Sequence, residues 1–125
     1  ELAALAAERA VAEDLTVLEG LIAKGAARLG GDRNLYIEAD LDFHLAVANC
    51  SKNKLLPRLL LDIRGLLVEW ITKSQELPGL RENAHEQHKR ILRTILDHDP
   101  EAAREEMQAH LRTFQRAYTL LGKIS

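Results

Sequence analysis

The sequence predicts an all-α fold, an antiparallel bundle of about six helices, and three observations predict it. Apolar residues recur at three- and four-residue spacing, as in Leu15, Leu18, Leu21, Ile22 and Leu29. Strand signals are nearly absent, because β-branched residues are sparse and never alternate with polar ones over a useful length. The breaks are short: Gly30-Gly31, Pro78-Gly79 and Asp99-Pro100. Long helices joined by short connections pack as antiparallel neighbours. With 125 residues the chain has enough length for one core, so residues 1–125 form a single domain.

The elements follow in order. Glu1 to Arg9 reads as a helix already under way, as in a fragment that starts inside an element. A second helix carries Leu15 to Leu29 and stops at the glycine pair. Asp32 suits the N-cap of a third, with Leu35, Ala39, Phe43 and Val47 on its apolar stripe and an end near Cys50-Ser51-Lys52. Asn53 caps a fourth, running through Leu56, Leu59, Leu60, Ile63, Leu67 and Trp70; Pro57 lies in its first turns, where proline costs least. After Pro78-Gly79 a fifth helix holds Ile91, Leu92, Ile95 and Leu96. Asp99-Pro100-Glu101 reads as N-cap, N1 proline and first-turn acid for a sixth, which carries Met107, Leu111, Phe114, Tyr118 and Leu121.

Composition excludes several classes of function. The chain is 46% hydrophobic and 29% charged with a net charge of -2, so this segment has no basic face for nucleic acid. No apolar run approaches the roughly 18–20 residues of a membrane span, and no signal peptide is visible. The single cysteine, Cys50, has no internal disulfide partner and reads as a small buried hydrophobe in a reducing, cytoplasmic setting.

Polar residues on inward faces carry the functional signal. Asp40 and His44 stand one turn apart on a face that continues into Val47. His88 shares the stripe of Ile91, Leu92 and Ile95, and His110 that of Met107, Leu111 and Phe114. Three helices therefore send one carboxylate and three imidazoles toward a shared interior. Burying these without partners costs on the order of several kcal/mol. A divalent cation removes that cost, because it neutralises the carboxylate and accepts a lone pair from each imidazole. Unrelated half-buried histidines, each hydrogen-bonded locally, are the plainer alternative, and any one of them alone favours it; the four residues together favour the metal. Zinc or nickel suits this donor set best, with manganese a third choice.

Competing motifs fail. In His85-Glu86-Gln87-His88 the histidines are three apart, whereas the zinc-protease helix needs them four apart. The di-iron bundle pattern needs two Glu-x-x-His pairs and two further inward glutamates, and the chain does not supply two such pairs. There is no glycine-rich phosphate loop.

Asp40-Leu41-Asp42-Phe43-His44 resembles the Asp-x-x-Phe-His motif of the FCD domain, the effector-binding domain of FadR-type regulators in the GntR family. Ala48 to Leu56 is similar to that family's Ala-x-x-x-Asn-x-x-Leu segment. His88-Lys89-Arg90-Ile91-Leu92, Asp99-Pro100-Glu101-Ala102-Ala103 and Met107-Gln108-Ala109-His110-Leu111 match the remaining signature in order. Leu5 to Ala10 and Glu13-Asp14-Leu15 resemble the family's opening helices, so the likeness covers essentially the whole chain. The resemblance implies an antiparallel helical bundle in which one Asp and three His hold a metal, here Asp40, His44, His88 and His110. It also implies a small organic acid as effector, a homodimer, and DNA contact through an N-terminal winged-helix domain that this C-terminal effector-binding and dimerisation domain lacks. One position departs from the pattern: the residue before the third ligand is usually acidic and is Gln87 here.

Weaker candidates surround the quartet. Arg81 lies seven positions before His88 and so shares its helix face, within reach of a ligand carboxylate, although a solvated helix-end arginine is the plainer reading. Asn53 is a cap first and an effector contact second, and Arg64 is better read as a surface ion pair than as an effector contact. His85 reads as exposed, His98 as a structural residue of the turn, and Trp70 and Tyr118 as core.

The leading function is ligand sensing, in which an effector at the metal shifts the bundle between states and alters DNA binding elsewhere in the protein. Four protein ligands leave about two positions open on a six-coordinate ion, which suits a carboxylate flanked by a hydroxyl or a second carboxylate. The remaining wall is expected to be apolar, from Leu60, Ile63, Leu67 and Phe114. A metal-dependent hydrolase is disfavoured, because no further Glu or Asp is spaced as a general base. A helical interaction module with a structural metal is disfavoured too, since such sites are usually closed tetrahedra, often with Cys. The domain is therefore not expected to be an enzyme.

Overall fold

The computed structural model describes residues 1–124, and among them there are seven α-helices and no strand. They are α1 (Leu2–Arg9), α2 (Ala12–Arg28), α3 (Arg33–Cys50), α4 (Leu55–Asp62), α5 (Arg64–Ser74), α6 (Leu80–Leu96) and α7 (Pro100–Ile124). The extra helix arises because the expected run from Leu56 to Trp70 breaks at Ile63 (φ -101°, ψ 13°). Gly65 lies two residues on, and a glycine inside a helix costs about 1 kcal/mol relative to alanine, so continuity is weakest there.

Local signals set most boundaries. Asp14 Oδ2 accepts the Val11 amide at 2.9 Å and starts α2. Asp32 Oδ1 accepts the Asn34 and Leu35 amides at 2.7 and 3.3 Å, the expected cap of α3. Asn53 Oδ1 does the same for Leu55 and Leu56 at 2.9 and 3.2 Å. Gly79 opens α6 at φ +79°, a left-handed conformation that glycine adopts without a Cβ clash. At the far end of α6, His98 is left-handed (φ 51°) and the Asp99 amide reaches back to the Thr94 carbonyl at 3.0 Å. His98 Nδ1 lies 2.8 Å from the Ala7 carbonyl, which ties this turn to α1 and confirms His98 as structural.

Packing places α3 at the centre, against α1, α2, α4 and α5, while α7 lies along α1, α5 and α6. The small buried residues Ala3, Ala4, Ala6 and Ala7 let α1 approach its neighbours closely. One apolar cluster joins α1, α2, α3, α6 and α7 through Leu18, Phe43, Val47, Ile91 and Ile95. A second joins α3 to α5 and α7 through Ile37, Leu41, Ile71 and Phe114. Asp40 and His44 occupy the register of α3 between these two clusters.

Four side-chain expectations need correction. Leu35 is exposed, and Tyr36 and Ile37 are buried instead, because α3 is covered on several sides and has no single apolar stripe. Trp70 and Tyr118 are not core residues; they meet at the surface with ring centroids 6.2 Å apart. Leu111 is also exposed.

Candidate metal and effector site

The fold brings the four expected donors together. Asp40 and His44 come from α3, His88 from α6 and His110 from α7. His88 Nε2 lies 3.2 Å from His110 Nε2, which lies 3.4 Å from His44 Nε2. Asp40 Oδ1 is 3.3 Å from His44 Nε2 and 3.6 Å from His88 Nε2. The three imidazoles alone form a group able to hold a metal ion, with donor atoms all within 4.8 Å of one another. The four contacts of 3.2 to 3.6 Å lie near the roughly 3.0–3.4 Å edges of a divalent ion's coordination shell, while Asp40 touches His44 and His88 and stands outside the three-imidazole group.

Burial sets the protonation states. Burial alone would raise the Asp40 carboxyl, but His88, then His44 and His110, outweigh it and hold it at about 2. Burial pushes His88 down to about 3, helped by His44 and His110 against the pull of Asp40. Burial, then His44, lowers His110 to about 4. At neutral pH Asp40 is therefore an ionised carboxylate and His88 and His110 are neutral buried imidazoles, the forms that bind metal. Phe43 stacks on the His88 ring, centroids 4.7 Å apart and planes 24° from parallel, and so fixes its orientation.

A cavity of about 490 Å³ opens beside the quartet. Asp40, His44 and His110 face it, while the rest of its wall is largely apolar, including Leu41, Leu60, Leu67, Ile71, Met107 and Phe114. Of the apolar residues expected there, Ile63 does not reach the wall, because the helix breaks at that residue.

The weaker candidates separate. Arg81 lines the cavity, but its Nη1 donates to the Leu29 and Gly31 carbonyls at 3.0 and 3.2 Å and its Nε to Gln75 Oε1 at 3.3 Å. Its guanidinium also sits 5.4 Å from the Tyr36 ring centroid, so it clamps the α2–α3 turn to α6. Asn53 caps α4 and Arg64 opens α5; neither belongs to the cavity wall. His85 is buried rather than exposed, against Gly25, where an added Cβ would come within 3.3 Å of His85 Nδ1. Cys50 is buried and unpaired, its thiol pushed up to about 11 by burial, as expected for an inert packing residue.

In the sequence Gln87 stands out only as a departure from the family pattern. It is buried on α6, with Oε1 2.6 Å from His110 Nδ1 and Nε2 donating to Thr113 Oγ1 at 3.0 Å. The available signal was helical spacing: Thr113 lies three residues after His110, on the same face of α7.

Comparison with known proteins identifies the family. The profile of the FCD domain matches residues 1–113. The HTH-type transcriptional regulator LutR of Bacillus subtilis (strain 168) is 30% identical over 114 residues, covering 87% of this chain and 52% of LutR. The HTH-type transcriptional repressor NanR of Edwardsiella tarda (strain FL6-60) is 28% identical over 127 residues, covering 96% of the chain and 47% of that protein. NanR of Klebsiella aerogenes is 27% identical over 124 residues, with 94% and 46% covered. The chain thus spans about half the length of the curated relatives it matches. These relatives are transcription regulators and not enzymes, as expected. No helix among the described residues is long and apolar enough to cross a membrane.

Proposed function

We propose that this chain, which belongs to the FCD domain family, senses a small carboxylate through a divalent metal held by Asp40, His44, His88 and His110. The observation that carries the reading is the convergence of three imidazoles, with Asp40 against two of them at 3.3 and 3.6 Å, beside a roomy cavity. A divalent ion there supplies Lewis acidity and open positions for ligand oxygens. Zinc or nickel suits a set of three nitrogens and one oxygen best.

The cavity wall narrows the effector. A carboxylate group at the quartet would extend its body against Leu41, Leu60, Leu67 and Phe114, which favour apolar surface over further hydroxyls. Arg81 already serves three acceptors, so it stabilises the wall more than it recruits a second carboxylate. The full-length protein would couple this site to DNA through an N-terminal winged-helix domain, as a homodimer. Light scattering of this domain at tens of micromolar should give a dimer mass.

Calorimetry tests the site directly. Metal-loaded protein should bind short monocarboxylates such as hexanoate, and the chelated form should not. Equal affinity in both forms would make the metal structural and move the effector elsewhere.

A further inference from the structure

We propose that Gln87 is a positioning residue that fixes His110 in the tautomer able to bind metal. The proposal rests on the metal-site reading above. Its geometric basis is a directed chain of hydrogen bonds.

The chain starts at the Ala109 carbonyl, which can only accept. Thr113 Oγ1 donates its one proton there at 3.1 Å, so this oxygen must accept from Gln87. The Gln87 group facing Thr113 is therefore its amide NH2, at 3.0 Å, and the group facing His110 is its oxygen. An amide oxygen cannot donate, so His110 Nδ1 carries the ring proton across the 2.6 Å contact. The lone pair of the neutral ring is left on Nε2, the atom that faces His88 and His44. Second-sphere partners of this kind orient ligating histidines and set their basicity.

The experiment compares wild type with Gln87→Leu, Gln87→Glu and Thr113→Val. Zinc affinity is read by competition with a chromophoric chelator, and the His110 tautomer by ring ¹⁵N shifts in metal-free protein. Gln87→Leu should weaken zinc by about 10- to 100-fold and lose the single Nδ1-protonated form. Thr113→Val, which keeps Gln87 but frees its amide to rotate, should lie between Gln87→Leu and wild type. Gln87→Glu, which keeps an acceptor oxygen toward His110 Nδ1, should hold zinc affinity within threefold of wild type. Unchanged zinc affinity and tautomer in Gln87→Leu would overturn the positioning role. A wild-type chain that binds no zinc or nickel would instead sink the metal site itself.

Discussion

Removing the metal should destabilise the domain by an amount that can be worked out in advance. The donors come from three helices and span positions 40 to 110, so only the folded chain offers them together. An ion that binds the folded form alone adds RT ln(1 + [M]/Kd), about 2.7 kcal/mol at a hundredfold excess over Kd. For a domain of this size each kcal/mol moves Tm by about 4 °C, so a chelator should lower Tm by about 10 °C. Differential scanning fluorimetry with zinc or nickel, before and after chelation, measures this. His88→Ala and His110→Ala should abolish the difference between the two curves. His98→Ala is the control: it removes the bond to the Ala7 carbonyl, lowering Tm in both states, yet should keep the full chelator response. A chelator effect that survives in His88→Ala and His110→Ala, or unchanged melting of wild type after complete metal removal, would refute the reasoning.

Two further predictions concern acid stability and the ring packed on His88. The stability of the metal-free protein should fall as pH drops from 6.5 toward 4. His88 and His110 are held at about 3 and about 4, below the ordinary 6.5, so the unfolded chain takes up more protons throughout that window. Asp40, held at about 2 rather than 3.8, extends the loss to lower pH. Tm measured against pH should slope downward on acidification, and the double variant His88→Ala, His110→Ala should flatten the slope above pH 4; a flat wild-type profile would contradict the burial argument. Phe43→Ala should cost about 3–5 kcal/mol in urea unfolding, because Phe43 is fully enclosed and carries the His88 ring. Phe43→Leu should cost less but still weaken zinc measurably, and a Leu variant with wild-type zinc affinity would show that stacking does not position His88.

The helical class, the breaks at Gly30-Gly31, Pro78-Gly79 and Asp99-Pro100, and the caps Asp32, Asn53 and Asp99 were legible in the sequence, because each rests on interactions within a few residues. The quartet was legible for a related reason. Helix periodicity assigns Asp40, His44, His88 and His110 to inward faces, and four such groups in one small core must share partners. Neighbours across helices were not legible. That His85 packs against Gly25, that Arg81 is drawn to the α2–α3 turn, and that Gln87 holds His110 depend on contacts between residues from 23 to 60 positions apart. The same limit misplaced Leu35 and Trp70, whose exposure is set by which helices cover α3 and α5 and not by their own spacing. Spacing along one helix determines which face a side chain shares; only the packing of several helices decides what that face meets, and here it decides which atom of His110 is free for metal.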